Sequence, residues 1–230
     1  MGINNKTQKE NLQNLLKNLD ANSRPRTIMS TFRLIAKELF NNYHIQKGDQ
    51  EYYFMNLEFY FFNKCHQDII TYPRDYSEGK WFFHPSGVDL TFNGFILSKD
   101  TSNINVNTDY FGGILIREIV KKSDIYKPFK GPHVCEWELF DAFDALSSTT
   151  SIPYIERNEN DLGFSDDDIR IARSKRYFTY KGDKVDNKYK ELNPIFNGIK
   201  ITSRQFEGFL NAKHAYRVNY DDLKKKLLSI

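Results

Sequence analysis

Glu58 stands in the run Asn56-Leu57-Glu58-Phe59-Tyr60-Phe61-Phe62, one carboxylate among apolar and aromatic neighbours. Such a group is costly to bury unless a cation partners it or it stays protonated. Held ionised beside a cleft, it can activate a water and stabilise a developing positive centre. Arg117 ends the apolar run Gly113-Ile114-Leu115-Ile116. A guanidinium there needs a partner just as much, so Arg117 is expected to hold Glu58 ionised and aimed. The competing readings are a salt bridge internal to the sheet for Glu58 and a solvent-reaching strand end for Arg117. Tyr60, Trp81, Phe82 and Phe83 offer faces for a nucleobase, at about 1–3 kcal/mol per stacked base, although Phe82 is expected in the core. His66 and His84 are candidate proton carriers, but neither stands at metal-ligand spacing from a Cys or His, so no metal site is expected. Cys65 is a neighbour of His66 in sequence only. The basic run Arg170–Arg176 suits phosphates, but a solvated charged face is the commoner explanation. No phosphate-binding glycine loop, hydrolase elbow or zinc signature occurs.

These groups must be carried by elements. In strand geometry Asn56, Glu58, Tyr60 and Phe62 share one face, and Leu57, Phe59 and Phe61 share the other, which reads as core. Upstream, Lys6–Asp20 and Ile28–Phe40 have helical apolar stripes, the second capped by Thr27. A short strand is expected near Tyr43–Gln46. Lys64–Gly79 is a long loop of acids and aromatics, and such loops are often functional. Trp81–His84 and Val88–Phe92 read as strands, with Asp89 and Thr91 on one face. Ser98–Thr108 reads as a surface insertion. Gly112-Gly113 allows a bulge or a close backbone approach before the strand that ends in Arg117. Gly131-Pro132 opens a unit whose helix is Glu136–Ala145. Ser147–Asn160 reads as loop, Ser165–Asp168 as a helix cap or acidic turn, Gly198–Phe209 as strand and turn, and Asp221–Leu228 as a C-terminal helix.

With 230 residues, 40% hydrophobic and 27% charged, the chain suits an ordinary globular protein. Its 15% aromatic content favours β-structure and stacking surfaces. A net charge of +3 permits nucleic-acid binding without demanding it. Two cysteines, Cys65 and Cys135, are too few for a disulfide framework, so a reducing cytoplasm is the expected compartment. No run approaches a membrane span, no secretory signal is seen, and Lys6 stands where a myristoylation motif wants Ser or Thr. One domain over residues 1–230 is expected. Its N-terminal helices fall in 6–40, its sheet and site in 51–146, and a divergent part in 147–230.

The order of elements is suggestive. A helix precedes the Leu57-Glu58-Phe59-Tyr60 strand. Then come a loop, Gly79-Lys80-Trp81-Phe82-Phe83, Gly87, Asn93, Gly113-Ile114-Leu115-Ile116-Arg117 and Gly131-Pro132 with a helix. From Thr27 to Leu146 this resembles the alkyladenine (3-methyladenine) DNA glycosylase family in order and spacing. The resemblance implies that Glu58 is the general base for the attacking water and that Arg117 positions that water. Tyr60 and Phe83 would be opposing walls of the base pocket, and Asn93 would gate it against unwanted exocyclic groups. Tyr72 is the nearest match to the family's pocket histidine, with His66 slightly early, and Ser86 replaces the tyrosine that wedges into the duplex.

The reaction implied is monofunctional hydrolysis of the glycosidic bond of a flipped, damaged or modified base in DNA. No lysine is placed as a Schiff-base nucleophile, no cofactor is required, and no membrane or obligate protein partner is inferred. Two alternatives remain: a non-catalytic nucleic-acid or nucleotide-binding domain, and a small-molecule N-ribosyl hydrolase. The expected fold is α+β, a single domain with a curved, mainly antiparallel sheet forming a partial barrel, flanked by helices from both termini.

Overall fold

The computed structural model describes residues 5–140, 151–173 and 183–230. Its axis is the long strand β2, Gln50–Asn63, whose many aromatic residues favour a pleated, buried ribbon. Around it lie β1 (Tyr43–Lys47), β3 (His66–Gln67), β4 (Trp81–His84), β5 (Gly87–Thr91), β7 (Phe111–Lys121), β8 (Asp124–Lys130), β9 (Tyr154–Arg157), β10 (Arg170–Ala172) and β12 (Ala215–Arg217). The main path is β10-β12-β2-β7-β5-β4, with β1, β3, β8 and β9 paired off it. Every pairing in this sheet is antiparallel, and the sheet is open rather than closed into a barrel. The short strands β6 (Ile104–Asn105) and β11 (Phe196–Asn197) pair in parallel beside it.

Alternation along β2 sends Leu57, Phe59 and Phe61 into the main core. Helix α2 (Pro25–Asn42) covers that face, with Phe32 4.9 Å from Phe59 between ring centroids. Helix α1 (Asn5–Lys17) adds Leu12 and Leu16, and the C-terminal helix α6 (Tyr220–Leu228) adds Leu223 and Leu227. Each buried aromatic or leucine contributes about 1.5–3 kcal/mol. The other face of β2 ends in Phe62, which joins a second cluster with Phe111, Phe196 and Phe206. That cluster is roofed by α4 (Asp183–Leu192) and α5 (Ser203–Leu210). Both clusters share β2 and β7, so the chain is one α+β domain. No helix among the described residues is long and apolar enough to cross a membrane.

Several boundaries differ from expectation. The N-cap of α2 is Arg24 rather than Thr27, because Pro25 at the first helical position needs no N–H partner. Helix α3 is Pro132–Leu139, starting at Gly131-Pro132 itself; the expected continuation to Ala145 lies outside the described residues. Gly198–Phe209 contains helix α5 instead of a strand. Its Thr202 and Gln205 form a reciprocal capping box. The Ser98–Thr108 insertion is anchored, with Ile104 and Val106 buried. Of the expected Ser147–Asn160 loop, residues 147–150 lie outside the described residues and the rest includes strand β9; Ser174, Lys175 and Arg176 of the basic run also lie outside them.

Candidate functional site

Glu58 and Arg117 meet: Arg117 Nη1 donates to Glu58 Oε2 at 2.6 Å. The backbone explains how. In the β2–β7 ladder Leu57 pairs with Ile116 and Asn56 with Glu118, so Arg117 is skipped in the register. Met55 is skipped on β2 in the same way. Such irregularities re-aim a side chain locally. The Arg117 carbonyl accepts the N–H of Gly131 instead, at the start of α3. Glu58 has no exposed surface, whereas the Arg117 side chain keeps 13%.

A second pair lies two strands away. Asp89 is buried in β5, and Arg74, from the loop after β3, donates to its Oδ2 at 2.7 Å. The guanidinium lies 4.0 Å from the centre of the Phe82 ring, and its Nε donates to the Tyr72 carbonyl. His84 Nε2 stands 3.0 Å from Asp89 Oδ1, out of line for a full hydrogen bond. The N–H of Ser86 donates to His84 Nδ1, which leaves the ring proton on Nε2, toward Asp89. Burial alone would raise the Asp89 carboxyl, but the Arg74 guanidinium and His84 outweigh it and hold the group below the usual carboxylate range. Gly113 makes room for this pair. A Cβ there would stand 2.5 Å from Arg74 Nη1 and 2.8 Å from Asp89 Oδ2. The glycine pair therefore serves close approach within a regular ladder, and the irregular register falls at Met55 and Arg117 instead.

Between the two pairs opens a cavity of about 440 Å³. That lies in the range of small-molecule sites, roughly 300–1,000 Å³. Tyr60, Arg117 and Leu115 of the sheet line it, with Tyr72, Arg74, His84, Ser86 and Asp89. Tyr72 packs over His84 with ring centroids 4.5 Å apart, and its hydroxyl is 3.3 Å from Ser86 Oγ. Pro132 and His133 close one side. Lys188, Glu191, Leu192 and Phe196 close another, so the C-terminal part of the chain builds a wall that sequence reasoning did not assign.

The expected site residues thus divide. Arg117, Tyr60 and Tyr72 line the cavity together, whereas Glu58 is buried against Arg117 and is not itself among the lining residues. Phe83 does not line it: it is on the opposite face of β4, packed on Phe140 with Trp81. Phe82 and His84 take the inward positions, because Phe82 pairs with Asp89 across β4–β5 and alternation carries His84 with it. Phe82 is half-buried beneath Arg74 rather than in the core. Asn93 is also elsewhere, donating to the Tyr110 hydroxyl and, by its N–H, to the Leu16 carbonyl. His66 lies beyond the cavity with Asp68 and His214. Arg74, Asp89 and His84 were missed as a unit. The signal was there for Asp89, a carboxylate in an apolar strand facing the same way as Thr91 and requiring a partner as Glu58 does.

A buried carboxylate–guanidinium pair beside an aromatic-edged cavity can orient a water, accept its proton and stabilise positive charge on a bound ligand. No protein-family model, curated protein or solved structure matches the chain.

Proposed function

We propose that the chain is a DNA N-glycosylase that hydrolyses the bond between deoxyribose and a damaged or modified base. The observation that carries this reading is the 2.6 Å Glu58–Arg117 pair at the edge of the 440 Å³ cavity, with Tyr60 and Tyr72 in its walls. Extruding a nucleotide costs a few kcal/mol, least for a damaged or mismatched base. The flipped base enters the cavity against Tyr60 and the Tyr72–His84 stack. The C1′–N bond breaks with its electron pair going to the base, through an oxocarbenium-like sugar. Glu58 takes a proton from the water that adds to C1′, and its negative charge stabilises the sugar cation. Arg117 holds the Glu58 carboxylate in place through its hydrogen bond. Lys188 lines the cavity, where an ion pair to Glu191 occupies it rather than leaving it as a Schiff-base nucleophile.

The test is base release from duplexes carrying a panel of damaged and modified bases, read by mass spectrometry. Wild-type protein should release a base, and Glu58→Gln should release it about 10²–10⁴-fold more slowly with DNA binding retained. Borohydride should trap no covalent adduct through Lys188. Absence of release from every duplex would overturn the proposal. One observation favours a second reading, a non-catalytic nucleotide-binding domain: Glu58 has no exposed surface, so water must reach it past Arg117. In that case ligand affinity survives Glu58→Gln and no base is ever released.

A further inference from the structure

Away from the cavity, His66 in β3, Asp68 just after it and His214 just before β12 are all buried. One donor atom from each lies within 4.8 Å of the other two. The imidazole rings stand 5.6 Å apart between centroids, tilted at 46°. Their backbone is held from behind. Asn63 Oδ1 accepts the N–H groups of Cys65 and His66, while its Nδ2 donates to the carbonyls of Asp20 and Ser23. The His214 carbonyl accepts the N–H of Phe59 at 2.9 Å. Phe209 presses edge-on against His66 and Phe32 against His214. His66 also lines an open groove with Gln67, Gln205 and Phe209, which provides an entry path.

We infer that His66, Asp68 and His214 ligate a divalent first-row transition ion of the zinc class. The carboxylate oxygen is a hard donor, but the two imidazole nitrogens are borderline and suit such an ion better than magnesium or calcium. A tetrahedral zinc ion sets its donors roughly 3.3 Å apart, so a modest contraction of the cluster completes three of its four positions. Water or a group from the groove takes the fourth. Spacing along the chain hid the site, because His214 is far from the other two in sequence. The ion would join the turn after β2 to β12, whose Ala215 pairs with Glu58. This assignment stands or falls separately from base excision.

The experiment uses the full chain stripped with EDTA, re-equilibrated with zinc or cobalt chloride and desalted. Elemental analysis should find one zinc per chain, cobalt should give the visible bands of a nitrogen–oxygen site, and zinc should raise Tm. His66→Gln and His214→Gln should each weaken zinc binding by roughly 100-fold, at least the upper end of what supporting residues cost. Cys65→Ser, outside the donor set, should leave binding unchanged. If a histidine variant folds poorly, Asp68→Asn and the wild-type cobalt spectrum decide the matter. Substoichiometric zinc with a featureless cobalt spectrum, or folded histidine variants that bind as tightly as wild type, would overturn the assignment.

Discussion

Two carboxylate–arginine pairs flank the same residue. Glu58 pairs with Leu115 from one side of β7 and Asp89 pairs with it from the other. Both carboxylates are buried, yet the cations differ. Arg74 arrives from a loop, keeps 1% of its side-chain surface, and is pinned by Asp89, the Tyr72 carbonyl and the Phe82 ring. Arg117 belongs to the sheet, sits where the register slips, and keeps 13% at the cavity. The same chemistry thus appears in two forms: a closed pair that holds a loop on the sheet, and a pair whose cation keeps part of its surface beside the cavity.

The contrast is broken most directly at Arg74. Arg74→Leu strands the Asp89 carboxylate without its guanidinium and should cost about 3–5 kcal/mol, read as a drop in urea midpoint. A loss below about 1 kcal/mol would mean the two pairs are not different in kind. The pH dependence sharpens this. Because Asp89 is held below the ordinary carboxylate range, its contribution is present above the unfolded value of about 3.9 and is lost as pH falls through the lower folded value. In Arg74→Leu the guanidinium's lowering influence is gone while burial and His84 remain, so the folded value rises relative to wild type and protonation costs the variant less. The gap between the two proteins should therefore narrow as pH falls; a gap independent of pH would contradict the assigned cause.

Glu58→Gln should cost less, about 1–3 kcal/mol, since the amide still accepts a hydrogen bond and Arg117 retains a route to the cavity. Gly113→Ala belongs in the same range, about 1–3 kcal/mol, as overpacking against Arg74 and Asp89. Equal losses for Glu58→Gln and Arg74→Leu in the same urea titrations would erase the distinction between open and closed pairs.

Legibility followed the same physics. The Glu58–Arg117 pair was readable because each end is intolerable alone in an apolar strand. Arg74 was not, since it comes from a loop with no periodicity to say which way it points. The helices α1 and α2 announced themselves by their apolar stripes, β5 by alternation, and β2 and β7 by their aromatic and apolar runs. Phe83 misled because Trp81, Phe82, Phe83 and His84 are all aromatic. Nothing in their types says which two face inward, and only pairing with β5 decides it. The α4 wall of the cavity comes from a helix that is polar apart from a few positions. Its apolar side chains gain meaning only against Phe62 and Phe111, which lie far away in sequence.

A third pair on β2 sets the bottom of the scale. Lys122 Nζ stands 3.1 Å from Glu51 Oε2, with 39% and 31% of their side chains exposed. Water solvates both ions, salt screens them, and Tyr53 already donates to Glu51, so the carboxylate keeps a partner when the lysine is gone. Lys122→Ala should then cost about 0.2–1 kcal/mol at low ionic strength, and the difference should fade in about 1 M salt. Arg74→Leu should keep most of its deficit there, because its charges lie where mobile ions do not reach. If salt removed both deficits alike, depth of burial would not be what separates these pairs, and the closed character assigned to Asp89–Arg74 would have to be withdrawn.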